Sequence, residues 1–308
     1  MKILHCNSTA DLAKKISSKV GLSIVERRIS KFSDGELSIK IYDDLYQKEV
    51  FITHQLFPNI NENLIQLLFL INAIKKRGAK KVHAIIPYFA YSRMDHKVEE
   101  ADFISASCIA SLLEASGLDA LIAIDLHSSQ IEGFFRIPVK NIAMLELFKD
   151  RFSETKCTDT VIVSPDIGGK MRGTSISGFL KIPLVVLYKQ REVHNDVSIT
   201  GVMGGVKDKH CILVDDIIGS GQTIIKAIDT LKSAQAKSIE IVISHNLLGN
   251  TNIKRLNDIA SKVTKLTVSN SIQINSKYLY LPNINVTDIS TSIVNIVNKY
   301  FNAKCQIT

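Results

Sequence analysis

Two adjacent carboxylates and a loop of small residues form the segment of the sequence with the clearest chemical purpose. Asp215 and Asp216 follow an apolar run, and the loop after them comprises Gly219, Ser220, Gly221, Gln222 and Thr223. Glycines let a loop expose successive backbone N–H groups, and the start of a following helix adds the positive end of its dipole, so this loop suits a phosphate dianion. The carboxylates repel each other unless they meet a metal ion or the vicinal hydroxyls of a sugar. We therefore expect a phosphorylated sugar here; an aspartate-capped helix after a glycine turn is the alternative.

Apolar runs and amphipathic segments alternate along the chain in the order typical of parallel α/β units. Strands are predicted over residues 50–53, 82–87, 121–124, 161–163, 184–187, 211–214, 240–244 and 266–268. Helices are predicted over 64–75, capped by Asn61 or Asn63, and over 104–113, 142–152, 170–180, 223–234 and 288–300. In such sheets ligands bind beyond the carboxyl ends of the strands, where this sequence is unusually polar.

Length and composition set the broad class of the protein. The 308 residues accommodate two α/β units with a joint near 140–150, which predicts domains over 1–145 and 146–308. The net charge of +8 favours anionic partners, but no basic block or reader motif accompanies it, so nucleic acid is not expected. No apolar stretch approaches the roughly 18 residues of a membrane span. The five cysteines have no C-x-x-C spacing, and Cys108 and Cys211 lie in apolar runs, which predicts buried thiols in a cytoplasmic protein.

The loop at 219–223 resembles the phosphoribosyl-pyrophosphate loop shared by type I phosphoribosyltransferases and ribose-phosphate pyrophosphokinases. Five further segments resemble pyrophosphokinase signatures in family order: 32–36, 87–93, 125–135, 164–169 and 189–191. The resemblance covers nearly the whole chain. It implies an α/β fold of two similar Rossmann-like, phosphoribosyltransferase-type domains with parallel sheets, the last helix packing back on the first domain. It also implies Mg²⁺ as cofactor and a homo-oligomer, commonly a hexamer. The implied reaction moves the pyrophosphoryl group of ATP to the 1-hydroxyl of ribose 5-phosphate.

The same resemblance implies roles for individual residues. The ATP-binding residues would be Phe32, Asp34, Glu36, Arg93, Asp95 and His127, with His127 and Asp166 at the metal. Lys189 and Arg191 would close over the β-phosphate from a polar loop over 190–198. Asp215 and Asp216 would hold the ribose hydroxyls, and the loop at 219–223 its 5-phosphate. The ordinary alternatives are a core aromatic for Phe32, a surface ion pair for Arg93, a core histidine for His127, a turn cap for Asp166 and a solvated face for the two cations.

Several positions depart from the family pattern. Gly219 stands where the family usually has an acidic or hydroxyl-bearing residue, and Gln222 where it has a small one. Met94 replaces a Gln, and His96 replaces a basic residue. The segment over 98–105 carries acid in place of the Arg and Pro of phosphate-regulated members, so inorganic phosphate is not expected to be required for activity. Two other functions stay open: a phosphoribosyltransferase, and a non-catalytic regulatory homologue of the pyrophosphokinase.

Overall fold

The structure, a computed structural model, describes residues 1–191, 197–248, 252–273 and 282–301, with side chains for all of these except 189–191 and 197–200. Two compact units divide the chain between Ala143 and Met144. The first unit also contains the C-terminal segment from Ile289, and the second ends at Asp288.

Strands and helices alternate through most of both units. The strands are β1 (Lys2–His5), β2 (Ser23–Ile24), β3 (Arg27–Lys31), β4 (Leu37–Ile41), β5 (Glu49–Thr53), β6 (Lys81–Ile86), β7 (Ala120–Ile124), β8 (Val139–Ile142), β9 (Thr160–Ser164), β10 (Leu184–Arg191), β11 (Val197–Met203), β12 (His210–Ile218), β13 (Ser238–Asn246), β14 (Lys265–Ser269) and β15 (Ile284–Thr287). The helices are α1 (Ala10–Val20), α2 (Ile60–Lys76), α3 (Ser105–Ala115), α4 (Met144–Leu147), α5 (Lys149–Ser153), α6 (Lys170–Leu180), α7 (Gln222–Ser233), α8 (Ile253–Ser261) and α9 (Ser290–Tyr300). Short 3-10 turns cover Asn7–Thr9 and Ser129–Phe134.

The first unit is built on a parallel sheet with strand order β2-β1-β5-β6-β7-β8. Its central strands are apolar on both faces, as parallel strands covered by helices must be. The helix α2 buries Leu67, Ile71 and Ile74, whose spacing places them on one helical face. The antiparallel pair β3–β4 forms a separate two-stranded ribbon.

The C-terminal helix α9 belongs to the first unit. The Phe301 ring lies edge-on to Phe51 with ring centroids 5.3 Å apart, and its centroid is 4.6 Å from that of His83. At the other end of the helix, Lys19 Nζ donates to Thr291 Oγ1 at 3.2 Å. These contacts join the last helix to strands β5 and β6 and to α1.

The second unit contains a sheet with strand order β11-β10-β9-β12-β13-β14-β15. Only the β10–β11 pair at its edge is antiparallel among the described strands. One face packs against α7 and α8 through a core that includes Leu213, Ile228, Ile241 and Ile259. The carboxyl ends of β9 and β12 therefore emerge at one edge, each followed by a glycine-containing turn and a helix.

Three sequence predictions about elements are wrong. The helix predicted over 142–152 is instead the end of β8 followed by the two short helices α4 and α5. Helix α2 starts at Ile60 after Asn59, rather than after Asn61 or Asn63, and the Asn63 amide donates to the Leu56 carbonyl oxygen. Strand β12 does not end at 214 but continues through Asp215 and Asp216 to Ile218, because its parallel pairing with β13 continues to Asn246.

The structure also bears on the predicted burial of two cysteines and on membrane-spanning segments. Cys108 is exposed although it lies in an apolar run, because the helix α3 turns it away from its buried face; Cys211 is buried. None of the helices in the described ranges has the length and apolarity needed to cross a bilayer.

Candidate functional site

The paired carboxylates lie in the last part of β12, at the carboxyl edge of the second sheet. Asp216 is buried, and its Oδ1 lies 3.7 Å from Nη1 of Arg172, a largely buried side chain on the first turn of α6. Asp215 keeps partial access to solvent. Desolvation, together with the charges of Asp216 and Asp166, raises the pKa of Asp215 well above its usual value, and Arg172 opposes this. Three carboxylates and one guanidinium thus share this edge of the sheet.

The small-residue loop follows directly and ends at the start of α7. Gly221 is the residue just before the helix. Its φ of +77° is a left-handed conformation that glycine adopts without strain. The Ser220 hydroxyl accepts from the backbone N–H of Gln222 at 3.4 Å, while Ser220 and Gln222 are exposed and Thr223 is half-buried. The first turn of a 12-residue helix leaves backbone N–H groups without helical partners. The loop therefore offers the donors that a phosphate requires.

Asp166 lies in the turn between β9 and α6. Its Oδ1 accepts from the Gly169 N–H at 3.0 Å, and the Ser164 hydroxyl donates to its backbone carbonyl at 2.8 Å. Asp166 thus caps this turn, as the alternative for this residue predicted. Its carboxylate is still half-exposed and close enough to raise the pKa of Asp215.

The donor set of the second unit fits a divalent cation that binds through few protein ligands. No group of three or more His, Cys, Asp or Glu side chains in the described ranges has metal-binding geometry. Mg²⁺ commonly uses one or two carboxylates and completes its shell with water and phosphate oxygens. The mutual repulsion of Asp166, Asp215 and Asp216, seen in the raised pKa of Asp215, is the property that such a cation would relieve.

In the first unit, Phe32 lies at the tip of the β3–β4 ribbon. The turn is closed by a hydrogen bond from the Phe32 N–H to the Glu36 carbonyl at 2.8 Å, and the Asp34 carboxylate accepts from the Glu36 N–H at 3.1 Å. Phe32 is 59% exposed, and Asp34 and Glu36 are exposed beside it. The alternative of a core aromatic is wrong for Phe32. An exposed ring flanked by acceptors can stack on and hydrogen-bond a planar base.

A second group in the first unit brings together residues after β6 and β7. Asp95 is buried, and its Oδ1 lies 2.5 Å from His96 Nδ1. Desolvation raises the pKa of Asp95, but the neighbouring Ser128 and His96 side chains and the charge of His127 outweigh it, so the net pKa is lowered. The structure therefore places Asp95 beside His127. His127 is half-buried rather than enclosed in the core.

Arg93 is exposed near this group, and no ion pair in the described part of the chain includes it. The surface ion pair considered for this residue is absent from those ranges. A guanidinium can hold the oxygens of an anionic ligand bidentately.

Lys189 and Arg191 lie in the last part of β10, and their side chains are outside the described residues. The polar loop predicted over 190–198 is wrong at both of its ends. Gln190 and Arg191 continue β10 and pair with Ser198 and Val197 of β11, and residues 192–196 lie outside the described ranges.

Comparison with known proteins covers both units. Residues 1–117 match the N-terminal domain of ribose phosphate pyrophosphokinase, and residues 136–280 match the phosphoribosyl transferase domain. A ribose-phosphate pyrophosphokinase of Campylobacter jejuni is 36% identical over 301 residues, covering 97% of this chain and 96% of the relative. The chain belongs to the ribose-phosphate pyrophosphokinase family. A pyrophosphokinase of Bacillus caldolyticus is 34% identical, covering 89% of this chain and 86% of its own. The crystal structure of phosphoribosylpyrophosphate synthetase from Mycobacterium smegmatis superposes with a TM-score of 0.89 at 28% identity, covering 98% of both chains.

One residue of this pyrophosphokinase-family site is missing from the sequence predictions. Arg172 follows the Asp166 turn at the start of α6 and reaches Asp216, 44 positions later in the chain. The sequence carries one signal for a role of Arg172 in the site, which is its place in the first turn of a helix that begins at the ligand-binding edge. The pairing itself depends on β9 and β12 being neighbours in the sheet.

Proposed function

We propose that this protein is a ribose-phosphate diphosphokinase, which converts ATP and ribose 5-phosphate to phosphoribosyl pyrophosphate and AMP. The observation that carries the proposal is the carboxylate pair at the end of β12 next to the phosphate-type loop, in a chain that matches pyrophosphokinases along nearly its whole length. In this reaction the oxygen of the sugar 1-hydroxyl attacks the β-phosphorus of ATP. The bond from that phosphorus to the oxygen bridging the α-phosphate breaks, AMP leaves, and the hydroxyl proton is released.

The second unit is proposed to hold the sugar phosphate. Asp215 and Asp216 accept hydrogen bonds from the ribose hydroxyls, which disperses the repulsion between the two carboxyl groups. The loop over 219–223 binds the 5-phosphate through backbone N–H groups and the Ser220 and Thr223 hydroxyls. Binding two ends of one sugar orients its 1-hydroxyl, and orientation accounts for much of the catalysis of phosphoryl transfer.

The first unit is proposed to hold ATP. Phe32 stacks on the adenine, Asp34 and Glu36 accept from its edge, and Arg93 binds triphosphate oxygens bidentately. Asp95 and His127 lie near the phosphate end of the nucleotide. Lys189 and Arg191 are proposed to supply positive charge to the β-phosphate as negative charge develops during transfer.

Mg²⁺ is the proposed cofactor, with His127 as its proposed protein ligand in the first unit and Asp166 as its proposed protein ligand in the second. When bound, it neutralises and orients the phosphate oxygens of ATP. The crowding of carboxylates around Asp215 supports a cation in the second unit, and the proximity of His127 to Asp95 gives the first unit a carboxylate as well.

The decisive assay measures AMP release from ATP, MgCl₂ and ribose 5-phosphate, with phosphorus NMR to identify the second product. We expect equal amounts of AMP and phosphoribosyl pyrophosphate, and no AMP when ribose 5-phosphate is omitted. A non-catalytic homologue would release no AMP under any of these conditions. A phosphoribosyltransferase would instead consume phosphoribosyl pyrophosphate in the presence of a base and release pyrophosphate.

Matched variants test the residue roles. Lys189→Ala is expected to lower kcat far more than it raises either KM, because a contact made mainly in the transition state acts on kcat. Lys232→Ala, an exposed lysine in α7, is its control and should leave both constants unchanged. A rise in KM at constant kcat for Lys189→Ala would place that residue in ground-state binding instead.

Family membership also supports a homo-oligomer, proposed as a hexamer, and the free cysteines among the described residues support a reducing, cytoplasmic setting. Light scattering on purified protein tests the assembly size. A monomeric mass would contradict that part of the proposal without affecting the reaction.

A further inference from the structure

The edge strand pair of the second unit contains an unusual tyrosine–glycine contact. Tyr188 of β10 lies directly across from Gly201 of β11. A Cβ placed on Gly201 would lie 1.9 Å from Cζ, 2.0 Å from Oη and 2.3 Å from Cε1 of Tyr188. The tyrosine ring therefore occupies the space that a side chain at 201 would fill. Both residues are half-buried, so the ring covers the glycine at the border between core and solvent.

The pairing of the two strands shifts immediately after this contact. Tyr188 pairs with Gly201, but the next residue, Lys189, pairs with Ile199, which leaves Thr200 as an extra residue in β11. Such a bulge bends the strands and increases their local twist, and it is a common means of directing side chains next to active sites. The contact and the bulge together lie just before Lys189 and Arg191.

Glycine in the interior of a strand weakens it, because it adds backbone entropy to the unfolded chain and no packing to the fold. An aromatic ring across from the glycine compensates for both losses and favours one register. Register matters here because a shift by one residue turns every following side chain to the opposite face. The pair thus has a structural reason to exist at this position.

We infer that Tyr188 is a positioning residue, whose ring over Gly201 holds the β10–β11 register at the bulge and so determines how Lys189 and Arg191 are presented. The inference rests on the proposed function of those two cations at the β-phosphate. Positive charge assists phosphoryl transfer only when it is held close to the position of the developing charge. Loss of the register should therefore reduce turnover while substrate binding by the rest of the site persists.

A double-mutant cycle tests the inference. Tyr188→Ala removes the ring, and Gly201→Val introduces a side chain into the space of the ring; each is expected to lower kcat at least tenfold with changes below threefold in both KM values. The combined variant returns a side chain to the gap left by the ring and should recover at least half of the lost kcat. Tyr188→Phe retains the ring and should keep kcat within twofold. Val202→Ala, next to Gly201, removes core packing and should lower Tm without this loss of kcat.

The outcomes distinguish the positioning role of Tyr188 from the proposed role of Lys189 and Arg191. Unchanged kcat in Tyr188→Ala, or single effects that simply multiply in the combined variant, would overturn the positioning role. Lys189→Ala is measured in parallel: if it also leaves kcat unchanged, the proposed role of the cations fails, whereas a loss in Lys189→Ala alone refutes only the role of Tyr188. Far-UV circular dichroism checks the fold of each variant, and Tyr188→Leu replaces Tyr188→Ala if the latter is unfolded.

Discussion

Two glycines of the phosphate-type loop should respond in opposite ways to the same substitution. Gly221 has φ of +77°, and a Cβ added there would lie 2.9 Å from Ile259 Cδ1 and 3.1 Å from Leu248 Cδ1, both in buried side chains. Gly219 has no atom within 4 Å of an added Cβ, and its φ lies outside the left-handed region. Gly221→Ala therefore adds strain and overpacking, whereas Gly219→Ala adds neither.

The magnitudes follow from these geometries. A left-handed conformation costs an alanine about 1–2 kcal/mol. Displacing two core methyl groups by a few tenths of an ångström adds about 1–2 kcal/mol. The smaller entropy of the unfolded chain returns about 0.4–1 kcal/mol to either variant. Gly221→Ala should thus destabilise the second unit by about 2 kcal/mol, and Gly219→Ala should be neutral or slightly stabilising.

Thermal unfolding without ligands, followed by circular dichroism, measures this difference. A loss of about 2 kcal/mol should lower the Tm of a unit of this size by roughly 4–8 °C. Gly221→Ala should also raise KM for ribose 5-phosphate more than KM for ATP, because it disturbs the backbone N–H groups at the start of α7. Equal Tm values for the two variants, or a lower Tm for Gly219→Ala, would refute the conformational argument.

Four further outcomes are expected. Arg172→Met should raise KM for ribose 5-phosphate at least tenfold, because Asp216 loses the cation 3.7 Å away. Arg172→Lys should recover part of the loss, and equal KM values for both variants in initial-rate assays would contradict this. His54 is buried, and desolvation lowers its pKa to about 4 in the folded chain. As the pH decreases from 6.5 towards 4, the unfolded chain therefore takes up a proton that the folded chain does not, and the free energy of unfolding should fall by up to about 3 kcal/mol. Urea unfolding of wild type and His54→Phe checks this, since the variant should lose that part of the pH dependence. Phe32→Ala should raise KM for ATP about tenfold and leave that for ribose 5-phosphate unchanged, as measured by AMP release, whereas equal effects on both would argue against stacking on adenine. Inorganic phosphate should not be required for activity, because Asp102 holds the N–H groups of Val98 and Glu99 and adds negative charge where an anion would bind; rates with and without phosphate decide it.

The sequence predicted most of what depends on local pattern. The spacing of Leu67, Ile71 and Ile74 indicated a helix because one face of a helix repeats every three to four residues. The apolar run 121–124 indicated a strand buried on both faces, which β7 is. The polar residues after such runs were expected at the ligand-binding edge because parallel strands carry their carboxyl ends to the same side. The family followed from the same motifs, since they recur in order along the chain.

Other features depended on contacts between residues far apart in sequence. Strand β12 extends through Asp215 and Asp216 because β13 continues to pair with it, and the apolar run alone ends at Val214. Two glycines of one loop look alike as letters, yet only Gly221 lies against Ile259.

What the sequence by itself determined was the α/β class, the order of most elements and the candidate residues, because periodicity and residue type report local sterics and burial of one face. Only the tertiary structure decided that Arg172 faces Asp216 and that the Tyr188 ring covers Gly201. Each of these results from strand order and register, which depend on free energies summed over many distant contacts. No local pattern of residues contains that sum.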